Sequence, residues 1–129
     1  MANRDFKGVQ ALQREVKMVS GSFLFAADGT STLSNATGVT STGTLGSGLV
    51  TITLDDKYSQ FLGVDLTYKD AAHAAAKVPV VCLSAETVNT TKTVVLQFTN
   101  SNDGGLSANA DVSGDTVYFR IWLKNTSLI

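Results

Sequence analysis

The amino-acid sequence predicts an all-β protein, an antiparallel β-sandwich of jelly-roll-like form or a barrel, and three observations carry that reading. Apolar and polar residues alternate at period two in six or seven short runs. Clusters of Gly, Asn and Asp separate the runs with no long helical pattern between them, which argues against a βαβ fold. Ser and Thr make up roughly a fifth of the chain, a composition suited to the solvent face of strands.

The opening segment, residues 1–14, is read as an arm ahead of a single β domain at 15–129. It carries Arg4, Lys7 and Arg14, a local basic excess, and Phe6, Val9 and Leu12 fall three apart, the spacing of a short helix interrupted by Gly8. From Glu15 the period becomes two and leads through Ser20-Gly21-Ser22 into Phe23-Leu24-Phe25, a first strand bulged near Gly21. Asp28-Gly29 is a turn signal, because Gly accepts positive φ and Asp bonds its own downstream backbone. From Thr30 to Gly48 small polar residues surround isolated Leu33, Val39 and Leu45, which predicts a weak edge strand inside a long loop.

Gly48 to Leu54 is the clearest strand, with Val50, Ile52 and Leu54 on its core face. Tyr58, Phe61 and Leu62 then fall at spacings of three and four, suggesting one helical turn that docks two aromatics under the sheet. Phe61 to Tyr68 reads as a strand with Leu62, Val64 and Leu66 facing one way. Asp70 to Lys77 is Ala-rich and reads as a short helix or a hairpin loop. Val78 to Leu83 is a strand whose Pro79 confines it to a strand start or a sheet edge. Thr93 to Thr99 is another strand, Asn100 to Gly105 a strong turn, and the span to Gly114 is small and polar. The last strand, Thr116 to Leu123, puts Val117, Phe119, Ile121 and Leu123 on one face and Tyr118, Arg120 and Trp122 on the other.

Composition narrows the function. At 129 residues, 43% of them hydrophobic, the chain suits one core, and its 16% charged residues leave uncharged side chains to cover the surface. A net charge of -1 offers no cation excess for counterion release, so nucleic acid is not an expected partner. Nothing approaches the run of about 18 apolar residues that spans a bilayer, and the first residues lack the apolar core of a signal peptide. Synthesis in the cytoplasm, no membrane partner and a soluble product are expected. One Cys (Cys82) and one His (His73) cannot make an internal disulfide or a Cys/His zinc site within the chain.

Candidate chemistry is sparse. His73 has no adjacent Ser or Cys to activate, and Cys82, set among Val residues, reads as a small buried hydrophobe. Asp55, Asp56, Asp65 and Asp70 could supply oxygen ligands or paired carboxylates, but turn and cap duties explain them more simply. Gly43 to Gly48 lacks the Lys-Ser/Thr pair and the following helix of a phosphate cradle, so it reads as a flexible loop. The Tyr118, Arg120 and Trp122 stripe has the composition of an interface hot spot or a sugar-stacking platform; the alternative is a second buried face of a central strand. The expectation is a non-enzymatic protein with no cofactor and no metal.

The runs Met1 to Lys17, Thr51-Ile52-Thr53-Leu54-Asp55-Asp56-Lys57-Tyr58 and Leu123-Lys124-Asn125-Thr126-Ser127 resemble small virion structural proteins of tailed bacteriophages, of the head decoration or cement type. These pieces lie in the expected order and are separated by variable loops. The resemblance implies a β-sandwich on the outer capsid surface of the virion, commonly a homotrimer, clamping neighbouring subunits of the major capsid protein. On that reading Phe6, Val9 and Leu12 are apolar anchors of the arm, while Arg4, Lys7 and Arg14 pair with carboxylates of a capsid subunit or a sister protomer. A phage tail or head-fibre component and a carbohydrate-binding module using Tyr118 and Trp122 are the alternatives.

Overall fold

The computed structural model describes residues 16–71, 79–101 and 104–124. In chain order the elements are β1 (Val16–Phe25), β2 (Ser31–Thr37), β3 (Val39–Thr42), β4 (Leu49–Leu54), β5 (Gln60–Lys69), β6 (Pro79–Thr87), β7 (Thr93–Asn100), the short helix α1 (Asn109–Val112) and β8 (Thr116–Lys124). They form two four-stranded sheets, β2-β1-β8-β5 and β3-β4-β7-β6, with every pairing antiparallel. Of the two expected forms this is the sandwich. Consecutive strands pair as hairpins (β1–β2, β3–β4, β6–β7) before the chain changes sheet, in place of a jelly roll's step-by-step alternation.

Period-two patterning places the core. Val50, Ile52 and Leu54 of β4 and Val94, Leu96 and Phe98 of β7 point inward from one sheet. They meet Phe23 and Phe25 of β1 and Val117, Phe119, Ile121 and Leu123 of β8 from the other. Aromatic rings join the layers: Phe25 packs edge-on against Phe23 (centroids 5.3 Å apart) and against Phe98 of the facing sheet (5.4 Å). Each fully buried side chain of this size contributes about 1.5–3 kcal/mol of transfer free energy.

The polar stretch 30–48, expected as a long loop with one weak edge strand, is more regular than that. It holds two edge strands, β2 and β3, one in each sheet, and the chain passes between them at Gly38. Gly38 has φ +80°, and a Cβ there would lie 2.5 Å from a Val19 methyl, so this crossing needs glycine. Few apolar residues suffice because an edge strand of a sandwich buries little; Leu33 and Val39 supply the contact. The Gly43 to Gly48 stretch ends in a tight turn: Gly46 and Leu49 exchange backbone hydrogen bonds around Ser47 and Gly48, both at positive φ.

Two further expectations are corrected between residues 55 and 66. No helical turn forms there. Tyr58 is buried, its N–H donating to the Val88 carbonyl, and Phe61 packs against the core from within β5. A bulge between Phe61 and Gly63 then shifts the register, so Leu62 faces solvent while Phe61, Val64, Leu66 and Tyr68 face inward. The β1–β2 register shifts at Ser20–Ser22, but the extra residue lies on β2, and β1 keeps an unbroken register with β8 through Gly21, so the bulge expected in β1 belongs to its neighbour.

Pro79 opens β6, which borders its sheet, as a residue without an N–H requires. Cys82 is exposed rather than buried, because its register partner is the outward Gln97. The small polar span before β8 contains α1, whose Val112 is fully buried; Asp111 caps it by accepting from the Ala108 N–H (2.9 Å). The arm and the Ala-rich stretch with His73 lie outside the described residues.

Candidate functional site

The two outer faces of the sandwich differ in chemistry. Tyr118, Arg120 and Trp122 alternate along β8 with buried Val117, Phe119 and Ile121, so the stripe points to solvent and is not a second buried face. Tyr118 is 45% exposed and Trp122 37%. Because β8 is central in its sheet, it has neighbours on both sides. Register sets Tyr118 between Ser22 and Thr67, Arg120 between Ser20 and Asp65, and Trp122 between Met18 and Gly63.

These rows enclose a groove of about 290 Å³. Ser20, Gly21 and Ser22 line it from β1, Asp65 and Thr67 from β5, and Tyr118 to Arg120 from β8. Asn35 completes the wall from β2, where the bulge places it at φ +52°, a left-handed conformation Asn tolerates.

Hydrogen bonding divides the two charges of the groove. The Trp122 indole N–H donates diagonally across the β8–β5 ladder to Asp65 Oδ2 at 3.0 Å. Arg120, although directly opposite Asp65, makes no hydrogen bond or ion pair with any described residue. The result is a carboxylate already holding a donor beside a guanidinium whose donors no described residue takes up. Asp65, singled out in the sequence as a possible metal ligand, acts here as the anchor of the indole. Asp55 instead accepts from the Thr40 hydroxyl (2.6 Å), and among the described residues no three His, Cys, Asp or Glu side chains are grouped to hold a metal ion.

The outer face of the other sheet has no such polarity. Positions facing outward in β4, β6 and β7 carry no charged side chain; Leu49, Val80, Cys82 and Val95 lie among Thr and Gln. Leu106, bridged to Thr99, extends this surface beyond the start of β4. Val80 is 51% exposed and Leu106 50%.

Sequence reading found the β8 stripe but not Asn35, Ser20 or Thr67 as its neighbours, nor the apolar face across β4, β7 and β6. Both depend on strand order and register, which bring together residues distant in the chain. The arm residues Arg4, Phe6, Lys7, Val9, Leu12 and Arg14 lie outside the described residues. Comparisons of the chain with protein-family models, curated proteins and solved structures gave no match.

Proposed function

We propose that the chain is a non-enzymatic structural component of a tailed-phage virion, a decoration or cement protein that binds the outer surface of the major capsid protein and self-associates as a homotrimer. The observation that supports this reading is the uncharged outer face of the β3-β4-β7-β6 sheet, which ends at β6, an edge strand among the described residues. Proteins that stay monomeric interrupt such faces and edges with Lys, Glu or Pro. Here only Pro79, at the strand's first residue, does so along β6 before Glu86. A sister protomer or a capsid subunit covering Leu49, Val80 and Leu106 removes this surface from water at about 25 cal/mol per Å² of apolar area.

The arm adds reach. Arg4, Lys7 and Arg14 pair with acidic capsid side chains and Phe6, Val9 and Leu12 anchor in apolar pockets, modest contacts per copy that a repeating shell multiplies. A clamp that binds only the assembled shell stabilises that state by linkage, with no chemistry required.

Native mass spectrometry of the full-length chain tests the self-association. A trimer that dissociates in the Leu49→Lys/Val80→Lys variant is the expected result. A monomer at every concentration, or a trimer indifferent to the two lysines, overturns this face as the protomer interface.

A further inference from the structure

We infer that the groove between β1, β8 and β5 binds a single carboxylated sugar residue of an acidic glycan, with Arg120 holding the carboxylate and Tyr118 stacking on the sugar face. Three observations converge on that ligand class. The groove's 290 Å³ sits at the small end of ligand sites, room for one pyranose ring rather than a chain. Its rim is an exposed tyrosine ring, and its remaining walls present Ser20, Thr67 and Asn35, donors and acceptors suited to sugar hydroxyls. The third is charge.

Arg120 is a cation in a concave site whose guanidinium makes no hydrogen bond or ion pair with any described residue. Its natural counter-ion, Asp65 opposite, is turned toward the Trp122 indole. A planar guanidinium matches a carboxylate with two parallel hydrogen bonds. The Asp65 charge in the same groove selects for a monoanion, since a phosphate dianion there would meet repulsion. A neutral sugar leaves the guanidinium without a partner.

The groove lies on the sheet opposite the proposed assembly face, so this site stands or falls independently of the virion reading. On a multivalent particle, weak single-site binding to a repeating surface polysaccharide sums to useful avidity.

The test is a titration of isotope-labelled full-length chain, followed by amide NMR, with methyl glucuronoside, methyl glucoside and a glutamate-rich peptide as separate probes. The expected result is saturable shifts at Asn35, Thr67, Tyr118 and Arg120 with the glucuronoside, and weaker binding of the glucoside. Arg120→Gln, an exposed position whose fold is checked by the same spectra, should weaken glucuronoside binding about tenfold and leave the glucoside unchanged. Tyr118→Ala should weaken both sugars. Absence of saturable shifts, equal binding of the two sugars, an Arg120→Gln variant as tight as the parent, or preference for the peptide over the glucuronoside each overturns the proposal.

Discussion

The Tyr68 hydroxyl donates to Asp115 Oδ2, joining β5 to the turn that starts β8 at the rim of the core. Asp115 is 1% exposed, and its other oxygen accepts the Ala71 N–H at 2.9 Å. A buried carboxylate is tolerable only while such donors are in place. Tyr68→Phe keeps the ring that packs on Phe98 but removes one donor. Urea denaturation should show a loss of about 1–3 kcal/mol.

The same pair predicts a pH dependence. Burial first, then the bond to Asp115 and its charge, push the Tyr68 hydroxyl well above its ordinary value of 10.0. Burial, with Asp56 and Asp55, raises Tyr58 as well. A group with a raised folded-state pKa contributes stability that is fully present below the unfolded value and lost as pH rises through the folded one. Unfolding free energy should therefore decline as pH rises above about 10, where unfolded Tyr ionises. Chemical denaturation of Tyr68→Phe across that range should show a shallower decline, the remainder belonging to Tyr58.

Gly48 closes the turn between Gly46 and Leu49 at φ +75°, and a Cβ there would sit 2.9 Å from Leu106 and 3.0 Å from the Phe98 carbonyl. Gly48→Ala meets both a left-handed backbone cost of about 1–2 kcal/mol and that crowding. Equilibrium denaturation should register at least the backbone cost. Gly46→Ala, where a Cβ meets nothing within 4 Å and φ is not positive, should cost less.

Trp122 is the only tryptophan, so its fluorescence reports on the groove directly. Asp65→Ala removes the acceptor of its indole N–H. The bond is exposed, so stability should fall by no more than about 1 kcal/mol, while the emission changes as the indole loses its fixed partner. A spectrum identical to the parent's would show that the bond does not hold the ring in solution.

Phe98 bridges the sheets through Phe25, and both are fully buried. Phe98→Ala should cost about 3–5 kcal/mol, a large share of a small domain's stability. A denaturation midpoint close to the parent's would place the core elsewhere.

Strands whose alternation is strong were legible in the sequence, because a residue such as Ile52 or Phe119 has only one face that can be buried. Legibility failed where a bulge intervenes: Leu62 continues the apolar pattern of Val64 and Leu66, yet one extra residue turns it to solvent. Cys82 misled for a related reason, since apolar neighbours on an edge strand do not imply a covered face. Of β2 and β3 only one weak edge strand was legible, because edge strands need few apolar residues. The groove was half legible: Tyr118, Arg120 and Trp122 share a face by period two alone, whereas Asp65 and Asn35 reach them only through strand order and a bulge.

The central claim is attachment to a capsid. Co-sedimentation of the full-length chain with expanded shells of a major capsid protein encoded in the same genome tests it most directly. The account predicts saturable binding at a fixed copy ratio, lost on deletion of residues 1–13 while the circular dichroism of the β-fold is unchanged. A folded full-length chain that stays in the supernatant, or a truncated one that binds as well, would contradict it.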